Sequence, residues 1–251
     1  MDKLSVLLKP LSELLEIQAA ILERPVTEPL HQTVRMIIKE MTNSLAALSL
    51  LALNGYGNNA LKIARGIYEG GVTVAYLVKN PNLLDDFVDF DWVLQKRSHD
   101  HFEMTDPSLL QKVGSQKVNE VEENFNRVKA RFAGRKGKVR RRWCKASLRQ
   151  MAMEVGRSSS YPSFYGSVSS MHHLDARGLA LQLGESKEGR LDITTAPSER
   201  WVKSALQAGY TDCVVALQQY TKVANVGSIE VLENNLKEFM EGLDILGQKR
   251  S

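Results

Sequence analysis

Apolar residues recur at steps of three and four along most of this 251-residue chain, and no segment alternates apolar with polar residues between turn residues. A period near 3.6 buries one face of a helix, whereas a half-buried strand needs a period of two. The one Asn-Gly pair, Asn54 and Gly55, joins two helical patterns instead of two strands. The expected fold is therefore all-α. It is a single multi-helix bundle over residues 1–251, with about 8–10 helices and antiparallel helical hairpins.

The pattern predicts helices over 2–23, 29–53, 59–79, 82–101, 107–132, 141–155, 160–183, 198–223 and 228–246, with a loop over 184–197. Asn54, Gly55 and Gly57 punctuate the second and third, and a short turn there makes the pair antiparallel. In the late segment RSSSYP, Ser160 can cap a helix and Pro162 is tolerated in its first turn. The two terminal helices each carry a heptad seam. One is Leu4, Leu7, Leu11, Leu14, Gln18 and Ile21; the other is Ile229, Leu232, Leu236, Phe239, Leu243 and Leu246. Such seams either pack on the core or form a self-association surface, so a homo-oligomer, such as a dimer, is one expectation.

Charge is unevenly distributed. The chain holds 33 basic and 29 acidic residues, net +4. Ten of the basic residues, and none of the acidic, fall within 129–149, which leaves the remainder at −6. That segment, KARFAGRKGKVRRRWCKASLR, interleaves cations with Phe132 and Trp143, a pattern suited to phosphate contact and base stacking. Arg135, Lys136, Lys138, Arg140, Arg141, Arg142, Trp143 and Lys145 are its candidate nucleic-acid contacts. The alternative is a solvated loop without a partner. Only two cysteines, Cys144 and Cys213, occur, far apart, which points to a reducing compartment. Lys9, Pro10, Glu13 and Glu16 interrupt the apolar N-terminal stretch, arguing against a signal peptide, and Leu45 to Leu53 is too short to span a bilayer. A soluble, cytoplasmic protein with no membrane partner is expected.

Two polar stripes interrupt the apolar pattern. Arg65 and Glu69 stand at i, i+4 in a segment otherwise rich in Ala, Gly, Val and Ile. They form either a structural ion pair or part of a site. Tyr161, Tyr165, Ser169 and His173 follow one another at four-residue steps, with His172 beside them and Arg177 beyond. A row of phenols, hydroxyl and imidazole suits proton transfer or phosphate binding. His99 and His101, near several carboxylates, have metal-ligand composition. However, i, i+2 spacing on a helix turns the imidazoles apart, so no metal is expected. Phosphate-loop, dinucleotide, zincin and nucleophile-elbow motifs are absent, and no cofactor is expected.

Gly55, Ala60, Arg65 and Glu69, the Tyr76-Leu77 and Asn80-Pro81 pairs, Trp143, and the stripe Tyr161, Tyr165, Ser169, His173 together resemble the bacterial helical family DUF5677 over about residues 40–185. Its members commonly carry Gly after the histidine, where this chain has Leu174 preceded by two histidines, so either His172 or His173 can be the family's histidine. The resemblance implies a helical fold and no agreed activity. A looser similarity is to HEPN helical ribonucleases, whose Arg and His share one helix four to six residues apart; this chain lacks that spacing. The similarity implies His173 as general base on a ribose 2′-OH. Arg65 or Arg177 would stabilise phosphorane charge, and Tyr165 or Ser169 would position the phosphate, with Glu69 and Tyr161 completing the site. Two functions follow. One is a metal-independent ribonuclease of a bacterial defence or toxin system, acting on RNA ahead of DNA. The other is a non-enzymatic helical interaction module whose basic segment docks a partner.

Overall fold

The computed structural model describes residues 3–134, 138–159, 161–173, 176–182, 184–185, 191–192 and 200–247. The fold is all-α, with eleven α-helices among the described residues. One two-residue antiparallel pairing, β1 (Gly184–Glu185) with β2 (Leu191–Asp192), lies in the expected 184–197 loop. The chain falls into two compact units, Met1–Lys79 with Leu148–Ser251, and Asn80–Ser147.

The first unit is organised on three long helices, α2 (Pro29–Leu53), α3 (Gly57–Lys79) and α10 (Val202–Ala224), which pack mutually. Pro29 opens α2, at a position where its missing N–H costs no helical bond. Val34, Ile38, Met41, Leu45 and Leu48 form its buried stripe against Ala60, Leu61, Ala64 and Ile67 of α3 and Leu206, Val214 and Leu217 of α10. Gly209 lets α10 approach α2 closely, because a Cβ there would stand 2.7 Å from Leu48 Cδ1. By length and composition alone α2 could cross a membrane, and it is the one such helix among the described residues. Here its apolar stripe is spent on α3 and α10.

Two terminal helices close this core. α1 (Leu8–Leu22) packs along α11 (Ile229–Gly247). Leu7, Leu11, Leu14 and Ile21 are buried, as are Leu232, Phe239 and Leu243. These members of the two heptad seams therefore pack inside the chain, with Ile229 and Leu236 partly buried; the side chains of Leu4 and Leu246 lie outside the described residues. A polar tie fixes their alignment. The Tyr210 hydroxyl donates to the Pro10 carbonyl oxygen at 2.9 Å, Asn235 Nδ2 donates to the same oxygen at 3.1 Å, and Tyr210 stacks on Phe239.

The shorter helices α7 (Leu148–Glu154), α8 (Gly166–His173) and α9 (Ala176–Gln182) complete the unit, α7 and α8 both packing on α3. The helix expected over 160–183 is instead a π-helical turn, Tyr161–Tyr165, followed by α8 and α9. Ser160, its expected cap, lies outside the described residues. The helix expected over 141–155 begins only at Leu148.

In the second unit α4 (Leu84–Thr105) packs with α5 (Pro107–Val113) and α6 (Ser115–Val128). One helix was expected over 107–132. Gly114, at φ +88°, adopts a conformation closed to other residues and breaks it in two. Asp106 caps α5 by accepting from the Ser108 backbone N–H at 3.2 Å. Phe90, Val93, Val128 and Phe132 form the buried centre, with Trp92, Phe125, Val139 and Trp143 packed around it.

Candidate functional site

The Arg65/Glu69 spacing places both side chains on one face of α3, and α8 with its preceding π turn lays the second polar stripe across that face. Arg65 Nε donates to Glu69 Oε1 at 3.0 Å, and Arg65 Nη2 donates to the Tyr165 hydroxyl at 3.1 Å. The Tyr165 hydroxyl in turn donates to Glu69 Oε1 at 2.8 Å, closing a three-membered ring of hydrogen bonds. Arg65 Nη1 lies 3.4 Å from His173 Nε2. For Nε2 to accept, the imidazole must be neutral with its proton on Nδ1. Of the two adjacent histidines, His173 is the one that reaches Arg65; His172 meets it edge-on at 5.1 Å.

This cluster is open to solvent at one end. The Arg65 side chain is 17% exposed and that of Glu69 42%, Tyr165 is half-buried, and His173 is exposed. Burial, then the hydrogen bond to the Glu69 carboxylate, raises the Tyr165 pKa, so its phenol stays protonated at neutral pH. Tyr161 stacks on Tyr165 with ring centroids 5.0 Å apart. The π turn makes this possible by widening the backbone at the point where both phenols leave it, and such turns recur at functional sites. No hydrogen bond joins Ser169 to Arg65, Glu69, Tyr165 or His173, although it lies on the same helix. Arg177 is exposed on α9.

A second cluster was not foreseen. Arg157 and Asp212 form an ion pair, with side-chain exposures of 16% and 6%. The Arg157 guanidinium stands 4.7 Å from the centroid of buried Tyr68, whose ring also meets Tyr165 at 5.6 Å and Phe164 at 6.1 Å. Burial pushes the Asp212 carboxyl up to about 6, outweighing the opposing pull of Arg157. The available sequence clue was a single carboxylate inside the apolar run GYTDCVVAL.

The basic segment divides in two. Arg131 and Arg140 pair with Asp86, and Arg127 and Arg131 with Asp89, both carboxylates on α4. Arg140 is also sandwiched over Phe132, so it supports the fold of its unit. Phe132 is fully buried and cannot stack on a base, and Trp143 packs edge-on against Phe87 at 5.2 Å. Lys138, Arg141, Arg142 and Lys145 are exposed and have no carboxylate partner among the described residues. Arg135 and Lys136 lie outside the described residues. His99 and His101 both sit within α4, which runs on to Thr105, so their imidazoles diverge. Among the described residues no group of three His, Cys, Asp or Glu is arranged to hold a metal.

No curated protein and no solved structure matches the chain. A family model described as a family of unknown function matches residues 33–190, which takes in Arg65, Glu69, Tyr165 and His173 but not Asp212. On that match, which covers well over half its length, the chain belongs to the DUF5677 family.

Proposed function

We propose that the Arg65, Glu69, Tyr165 and His173 cluster cleaves RNA without a metal, in the manner of the HEPN ribonucleases, as an effector of a bacterial defence or toxin system. The observation that carries this is the 3.4 Å approach of Arg65 Nη1 to His173 Nε2 at the exposed end of the cluster. In HEPN enzymes the arginine and histidine share one helix; here α3 would supply the arginine and α8 the histidine. His173 takes the proton of a ribose 2′-OH, whose oxygen attacks the adjacent phosphorus. Arg65, held in place by Glu69, stabilises the added charge on the phosphoryl oxygens. Tyr165, kept protonated, gives its proton to the departing 5′-oxygen. The products are a 2′,3′-cyclic phosphate and a 5′-hydroxyl, and the proton held by His173 returns through solvent to the Tyr165 phenolate. The exposed Arg141, Arg142 and Lys145 supply the cations that attract a phosphate backbone.

Incubating wild type and His173→Ala with RNA and with DNA of the same sequence tests this. Wild type should leave 2′,3′-cyclic phosphate ends on RNA, leave DNA intact, and lose cleavage by about 10²-fold or more in the variant. Identical products from both proteins, no products, or equal cleavage of DNA refutes it. A second function, a non-enzymatic interaction module, is favoured by the closed ring of hydrogen bonds among Arg65, Glu69 and Tyr165. In it the cluster ties α8 to α3, and the absence of any cleavage is the expected result.

A further inference from the structure

Beside Tyr68 lies a cavity of about 340 Å³ that the cleavage step does not use. Part-exposed Phe164 gives it an aromatic wall, buried Tyr68 lies at its base under the Arg157 guanidinium, and Arg157 and Asp212 stand in it as a paired donor and acceptor. One face of α10 adds Ser204, Gln207 and Thr211, whose side chains make no hydrogen bond among the described residues. Ser204 and Gln207 are exposed and Asp212 is 4% exposed, so polarity lines the cavity from mouth to floor. Its volume is at the small end of ligand pockets, suited to one ring system and not an extended chain.

The cavity is linked to the cluster through two pairs of residues close in sequence. Arg65 and Tyr68 are one turn apart on α3, and Phe164 and Tyr165 are neighbours in the π turn. A ligand laid against Phe164 therefore lies one residue from Tyr165, which Arg65 holds. Single-stranded RNA is read this way, with an unstacked base laid against aromatic rings and hydrogen-bonded at its edges. Guanine is the base whose edges fit an arginine beside a carboxylate. Its O6 and N7 accept from a guanidinium, and its N1–H and N2–H₂ donate to a carboxylate. Adenine offers no such adjacent pair of ring and amino donors, and the pyrimidines have a smaller face for the Phe164 ring to cover.

We propose that this cavity binds the guanine base of an RNA nucleotide whose phosphate lies at Arg65 and His173, making the chain selective for guanosine at the cut. Identifying the ligand as a nucleobase rests on the cleavage proposed for the neighbouring cluster. Because Asp212 and Arg157 also hold the core, the informative changes are Gln207→Ala and Thr211→Val at the cavity's outer wall.

Titrating the full chain with guanosine, adenosine, cytidine and uridine, each lacking phosphate, reads the cavity without the cluster. Guanosine should bind at least about tenfold more tightly than the other three. Gln207→Ala and Thr211→Val should each weaken it severalfold while leaving the helical circular dichroism intact, and His173→Ala should leave it unchanged. No guanosine binding, equal affinity for all four nucleosides, or affinity indifferent to both α10 substitutions overturns the assignment. A chain that binds guanosine but cuts no RNA keeps the cavity and loses the nuclease. One that cuts RNA without binding guanosine does the reverse.

Discussion

Asp212 is the residue whose environment makes the sharpest quantitative demand. It sits in the middle of α10, 4% exposed, with Arg157 as its charged partner, and its carboxyl is pushed from 3.8 up to about 6. Between those two values the folded state holds a proton that the unfolded chain has released. Stability contributed by this group is therefore fully present below pH 3.8 and is lost as pH rises through 6. Each pH unit of that gap corresponds to about 1.4 kcal/mol, so the full span is about 3 kcal/mol, of which about 2 kcal/mol falls between pH 4 and 7. Asp212→Asn cannot titrate and removes this dependence. Urea unfolding of both proteins at pH 4, 5, 6 and 7, followed by far-ultraviolet circular dichroism, measures it directly. Wild-type stability minus variant stability should fall by about 2 kcal/mol across the series. The amide also weakens the hold on Arg157, but that shifts the variant's curve without giving it this slope. Parallel curves would show that burial does not perturb the carboxyl. A difference that grows with pH would show that Arg157 outweighs burial.

Two further expectations concern packing and charge. Gly209→Ala drives a Cβ to 2.7 Å from Leu48 Cδ1 and 3.3 Å from Ile67 Cδ1, so thermal unfolding should report a loss of about 1–3 kcal/mol, and an unchanged Tm would mean that this part of the core can give. Replacing Arg141 and Arg142 together with Ala should flatten the log–log salt dependence of single-stranded RNA binding by roughly 1.4, at about 0.7 per phosphate contact. Arg140→Ala should instead lower stability, since that side chain pairs with Asp86; the opposite pattern would exchange their roles.

Local spacing was legible in the sequence, and distant pairing was not. The i, i+4 step of Arg65 and Glu69 follows from helix geometry alone and lies within α3, whereas the four-residue stripe to His173 starts in a π turn over Tyr161–Tyr165 instead of one continuous α-helix. That they meet on one face of α3 depends on packing across about a hundred residues, which no local pattern encodes. Arg157 and Asp212 were missed for the same reason, each being a single charge with its partner 55 residues away. The basic segment was read by its own charge, yet Asp86 and Asp89, placed on α4 well upstream, neutralise part of it. Gly114 stood inside a convincing apolar period, and its positive φ, not the period, decided where α5 ended. A heptad seam has the same spacing whether its partner is another molecule or the other end of the same chain.

The pairing of α1 with α11 also sets an order of events at the ribosome. Pro10 cannot meet Asn235 until 225 further residues have been made, roughly 10–45 s at ordinary elongation rates. Throughout that interval Leu7, Leu11 and Leu14 have no final partner. The hairpin of α2 and α3 is equally incomplete until α10 emerges. Residues 80–147, by contrast, hold their ion pairs and aromatic centre within one continuous stretch and can settle while the rest of the chain waits. A cell making this protein therefore carries a half-built core with exposed leucines for most of each round of synthesis, and the nascent chain should depend on chaperones that shield such surfaces.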